Sequence, residues 1–160
     1  MLSDYTYYRP AAPEEELSAY LAERLGLTRI EEDTPFPLKS DRWWVRTFDP
    51  DEDWDSEAAR IGVRTGEMVM VIFEPAKALS AEEELQADYD LFSAIVDQLN
   101  DTPELSGFLL HGDVSVLIER SPGGRTLLDP SLADPADYNR SDHLAPVLAR
   151  ATITPLADLD

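Results

Sequence analysis

An α+β two-layer sandwich is predicted by three features of this 160-residue chain. Residues 68–73 (MVMVIF) form an unbroken apolar run rich in β-branched types, as in a buried strand. Residues 80–100 follow with a long amphipathic helical pattern. Shorter strand-like runs on either side are separated by tight turns, which favours a mostly antiparallel sheet. The order strand, helix, strands, helix, strands then sets two main helices, about 13–25 and 81–100, on one face of the sheet. The other face is expected to be open for binding or dimerisation.

The first strand is expected over residues 3–8 (SDYTYY), with Pro10 and Pro13 ending it. Pro13 suits the first position of a helix, and Glu14, Glu15 and Glu16 favour the positive end of its dipole. Leu17, Tyr20, Leu21 and Leu25 recur at helical spacing before the stop at Gly26. A short strand over 27–30 and a proline-containing loop over 31–40 follow. Residues 42–48 (RWWVRTF) read as a strand, with Trp43, Val45 and Thr47 on one face and Trp44, Arg46 and Phe48 on the other. Residues 49–57 (DPDEDWDSE) read as an acidic loop, 60–64 as a strand, and Thr65-Gly66-Glu67 as a break before the central strand.

Ser80 and Glu83 match a capping box at the start of the second helix. Leu85, Tyr89, Phe92, Val96 and Leu99 form its apolar stripe, widened by Ile95. Residues 107–111, 114–119 and 125–128 then make a three-strand meander through turns at Gly112-Asp113 and 121–124. Beyond about residue 130 the pattern weakens around Pro130, Pro135, Pro146 and Pro155, with a short helix over 143–149 and an edge strand over 151–154. The whole chain, 1–160, is expected to be one domain with this less regular C-terminal segment.

Charge narrows the classes of function. Thirty-three acids face 13 bases, for a formal charge of −20. Such a surface repels nucleic-acid phosphate and anionic lipid, and it attracts basic proteins. No apolar run approaches the length of a membrane helix. The N-terminus lacks the pattern of a secretory signal and cysteine is absent, so a cytoplasmic location is expected.

Motifs of catalysis are not found. There is no Gly-x-Ser-x-Gly elbow and no phosphate-binding Gly-x-x-x-x-Gly-Lys-Ser/Thr loop, and no cysteine nucleophile is possible. His111 and His143 lack helical ligand spacing and read as a turn residue and a loop or short-helix residue; no metal or cofactor is expected. Asp49, Asp51, Asp53, Asp55 and Glu57 alternate like the start of a calcium-binding loop. However, Trp54 stands where glycine is needed and Arg60 where the bidentate glutamate is needed. The segment reads first as a plain solvated loop and next as a partner-binding loop, with Asp49, Asp51, Glu52, Asp53, Asp55 and Glu57 ringing Trp54 as an aromatic anchor for a basic partner.

The succession Ile61-Gly62-Val63-Arg64, residues 68–73, the helix over 85–99, Gly107 to Leu110, Gly112-Asp113, residues 114–120 and residues 124–128 resembles the Sit-type immunity proteins of bacterial contact-dependent polymorphic toxin systems. The resemblance covers about residues 61–129. It departs from the family's Leu-x-Arg-x-Gly-x-Leu ending in that Arg120 falls one place late and Pro122-Gly123 lengthens the turn. It implies a small cytosolic antidote that binds a toxin delivered by a neighbouring cell, and it carries over no catalytic residue. The expected function is therefore that of a non-enzymatic immunity protein whose acidic surface occludes a basic, nuclease-type toxin. Two alternatives are a nucleic-acid mimic that inhibits a DNA-binding protein, and a small ligand-binding domain or enzyme using the open sheet face.

Overall fold

The structure, a computed structural model, describes residues 4–30, 36–50, 52–112 and 114–159. One nine-stranded sheet carries the fold, in the order β2-β3-β4-β5-β1-β6-β7-β8-β9. Its strands are β1 (Tyr5–Pro10), β2 (Thr28–Arg29), β3 (Leu38–Lys39), β4 (Trp43–Phe48), β5 (Met68–Pro75), β6 (Gly107–His111), β7 (Ser115–Arg120), β8 (Leu127–Leu128) and β9 (Thr152–Ile153). All neighbouring pairs are antiparallel except β8 and β9, which run parallel. β1 sits at the centre, between β5 and β6, so the N-terminal strand is buried rather than at an edge.

The predicted helices form on one face. They are α1 (Glu14–Leu25) and α3 (Ala81–Asp101), and α2 (Asp55–Arg60) and α4 (Ala145–Leu148) complete the set. The capping box of α3 is present: the Glu83 N–H donates to Ser80 Oγ, and the Ser80 N–H donates to Glu83 Oε1, both at 3.2 Å. Gly26 ends α1 with a left-handed φ of 68°. Leu17, Leu21 and Leu25 of α1 join Leu91, Phe92, Ile95, Val96 and Leu99 of α3 over Tyr5, Tyr7, Val45, Val71 and Phe73 of the sheet. The middle of α3 is buried on every side, from Leu91 to Val96, because α1 flanks it and the C-terminal segment returns across it. That segment is irregular but belongs to the core, through Leu132, Leu144 and Val147. Asp97 ties the layer together, accepting from Arg24 of α1 at 2.7 Å and from Arg150.

Three expectations change. The loop over 31–40 contains the short strand β3; residues 31–35 of that loop lie outside the described residues. Residues 49–57 are not wholly a loop, because Glu52–Trp54 makes a 3-10 turn that leads into α2. Residues 60–64 are not a strand but the end of α2 and a turn at Gly62, whose φ is 79°. The physical reason is burial. Ala58 and Ile61 cover a second apolar cluster on the opposite sheet face, with Tyr8, Met68, Met70 and Phe108, and Asp55 and Glu57 complement the dipole at the start of the helix. Leu156 and Leu159 of the tail pack on the same cluster. This part of the second face is therefore covered rather than open.

Candidate functional site

Asp49, Asp53 and Asp55 are exposed along the approach to α2. Asp55 accepts a hydrogen bond from the Thr65 hydroxyl. Asp51 lies outside the described residues, and Glu52 lies in the 3-10 turn. Trp54 is half-buried against the second cluster, its ring 6.2 Å from that of Tyr8, so only part of it is open to solvent. Glu57 is corrected: only 6% of it is exposed, its carboxylate accepts from the Ser56 hydroxyl at 3.1 Å, and it is not available to a partner on this surface. α2 is held to the sheet by Arg60, whose guanidinium donates to both carboxylate oxygens of Glu119 at 2.5 and 3.0 Å and to the Ala157 carbonyl at 2.8 Å. Of the predicted residues, Asp49, Asp53 and Asp55 thus form an exposed acidic shoulder beside a partly sheltered tryptophan.

On the opposite face, a second site has formed that sequence spacing does not disclose. A cavity of about 200 Å³ opens between the first half of α3, the ends of β5 and β6, and residues 137–140. Tyr5, Trp43, His111 and Tyr138 wall it, and Asp88 projects from α3 into it. The Tyr5 and His111 rings stack 4.2 Å apart, 9° from parallel, and the His111 and Tyr138 rings meet edge to face at 5.5 Å. His111 Nδ1 and the Tyr138 hydroxyl share a hydrogen bond. His111 is therefore the last residue of β6, fixed by two tyrosines, rather than a turn residue.

The electrostatics of the cavity are unusual. Burial pushes the Asp88 carboxyl up to about 7; neighbouring Glu84 adds to the shift, while Arg140 and the Tyr5 hydroxyl oppose it. Burial raises the Tyr5 and Tyr138 phenols, and it lowers His111 against the opposing pull of Asp137. Displaced acidities gathered in a concave, partly apolar site are a common mark of a binding or reaction centre. Among the described residues, no group of three His, Asp or Glu side chains is placed to hold a metal ion.

Comparison with family models, with curated proteins and with solved structures gives no match. Among the described residues, no helix is long and apolar enough to cross a membrane.

Proposed function

We propose that this chain is an immunity protein that binds and neutralises a cognate bacterial toxin in the cytoplasm. The observation that carries the reading is an acidic surface left largely without counter-charges. The chain has a formal charge of −20. Among the described residues, ion pairs engage the carboxylates of Glu14, Glu67, Asp90, Asp97 and Glu119, and 33 acids stand against 13 bases in the chain as a whole. Exposed acids crowd the start of α1 (Glu14, Glu15, Glu16), the far end of α3 (Asp101, Glu104) and the shoulder before α2 (Asp49, Asp53, Asp55). Self-repulsion on this scale works against the compact state, whereas a cationic partner relieves it and is drawn in from a distance.

The partner chemistry that fits is a basic protein whose own cleft binds phosphate, as in a nuclease. The shoulder leads into α2, whose far end is anchored by the Arg60–Glu119 pair and by the Ser106 hydroxyl on the Ile61 carbonyl at 2.7 Å. Trp54 contributes an apolar edge beside those charges. The resemblance over residues 61–129 supports the same reading, since it implies an antidote that binds a toxin.

A growth assay tests the proposal. The product of the gene adjacent to the one for this chain is induced in a sensitive bacterium, with and without the chain. Restored growth that depends on the chain is expected. If the neighbouring product is toxic and the chain gives no protection, the reading is wrong.

A further inference from the structure

We infer that the cavity under the first half of α3 is a socket for an organic cation, an ammonium or guanidinium group on a short apolar or aromatic stem, with Asp88 as its counter-ion. The inference stands apart from the antidote reading and is tested on the chain alone.

Size sets the first limit. A cavity of about 200 Å³ holds one ring or one extended side chain and little more; apolar cavities of about 150 Å³ take benzene. The walls set the second. Tyr5, Trp43 and Tyr138 offer aromatic surface, with Leu79 and Leu85 beside them, which suits an apolar stem and the rim of a cation.

Charge then selects the sign of the ligand. Three carboxyl groups line the site, those of Glu84, Asp88 and Asp137, against the single guanidinium of Arg140. Among the described residues, no basic side chain comes within ion-pair distance of any of the three. Two inward-leaning acids of this protein are paired: Asp97 has Arg24 and Arg150, and Glu119 has Arg60. Among the described residues Glu57 and Asp88 have no ion pair, and of these two Asp88 is the one that lines the cavity. It is partly buried beside an open volume, with the Tyr5 hydroxyl near its carboxyl and Glu84 repelling its charge. A cation entering the cavity supplies the missing partner, whereas an anion meets uncompensated repulsion.

Proton linkage follows from the same geometry. The groups facing Asp88 are Tyr5 from β1, His111 from β6, Glu84 on α3 itself, and Asp137, Tyr138 and Arg140 from the C-terminal segment. With Asp88 titrating near 7, its ionised fraction falls from about nine-tenths at pH 8 to about one-tenth at pH 6, so cation affinity drops about tenfold over that interval. His111, lowered by burial, adds little positive charge in that range.

The test is calorimetric titration of the chain with benzylamine at pH 8 and pH 6, with benzyl alcohol and benzoate as neutral and anionic controls of similar shape. The amine is expected to bind at least tenfold more tightly than either control and about tenfold more weakly at pH 6. It is also expected to lose at least tenfold in Asp88→Asn. Amide shifts confined to residues around Asp88, His111 and Tyr138 place the site independently of the variant. Lysine capped at both ends separates the two sources of such a cation: binding comparable to benzylamine assigns the socket to a side chain of a protein partner, and binding of the free amine alone assigns it to a small metabolite. Equal binding of the alcohol or benzoate, affinity indifferent to pH, or no heat at millimolar amine overturns the inference.

Discussion

Replacing Asp88 by asparagine should stabilise the protein, and more so at alkaline pH. In the folded chain the carboxyl titrates near 7, against its ordinary value of 3.8. Below about pH 4 both folded and unfolded chains hold the proton, and the stabilisation tied to that proton is fully present. As pH rises towards 7, the unfolded chain releases the proton while the folded chain keeps it, so stability falls until the folded pKa is passed. A shift of about three units corresponds to about 4 kcal/mol as an upper bound. The cavity admits water, which screens part of that penalty, so about 2 kcal/mol is the expected size. Asparagine keeps the shape and an acceptor for the Tyr5 hydroxyl but never ionises. Urea unfolding of both proteins at pH 5 and pH 8 isolates the effect, since the other carboxylates cancel in the difference. Part of the penalty has already accrued by pH 5, so the gain from Asp88→Asn at pH 8 should exceed that at pH 5 by about 1 kcal/mol. An equal effect at both pH values, or a larger loss at pH 8, would refute the reasoning.

Other perturbations have equally definite outcomes. Phe92→Ala empties a fully buried position between α3 and the sheet and should cost about 3–5 kcal/mol in urea unfolding. Gly62→Ala places a Cβ 2.6 Å from Pro122 Cγ at a φ of 79° and should cost about 1–3 kcal/mol, read as a lowered Tm. Replacing Leu156 and Leu159 together by alanine uncovers the cluster around Met68 and Phe108 and should raise binding of a hydrophobic dye while lowering the urea midpoint. Joint Asp49→Lys, Asp53→Lys and Asp55→Lys should weaken toxin binding at least tenfold, mostly by slowing association at low salt, whereas Glu57→Gln should leave the affinity unchanged. Surface plasmon resonance distinguishes these two outcomes.

Much of the fold was legible because its signals are local. The run from Met68 to Phe73 announces a buried strand, and the capping box at Ser80 with the stripe from Leu85 to Leu99 announces α3. α2 was hidden for the opposite reason. Six residues are too few to show a helical period, and the carboxylates around Trp54 resemble a solvated loop; only the docking of Ala58 and Ile61 on the second sheet face makes the helix pay its way. The covered second face was missed with it. β3 is two residues long and owes its existence to pairing with β4 rather than to its own sequence.

The cavity could not be read from spacing. Tyr5, Asp88, His111 and Tyr138 are scattered over most of the chain, and they meet because β1 lies beside β6 at the sheet centre while α3 and the C-terminal segment close over the same end. A faint signal existed: Tyr5 at the start of a largely buried strand and Asp88 one turn before the buried middle of α3 are polar groups entering a core. Nothing local says that they enter it together.

The central claim, that this acidic chain is a dedicated binder of one basic toxin, is tested most directly by calorimetric titration against the product of the adjacent gene, at low and at physiological salt. One-to-one binding with a submicromolar Kd that weakens but survives at the higher salt is the predicted result. Absence of heat in both buffers, or binding that vanishes at physiological salt and is shared by unrelated basic proteins, would contradict it.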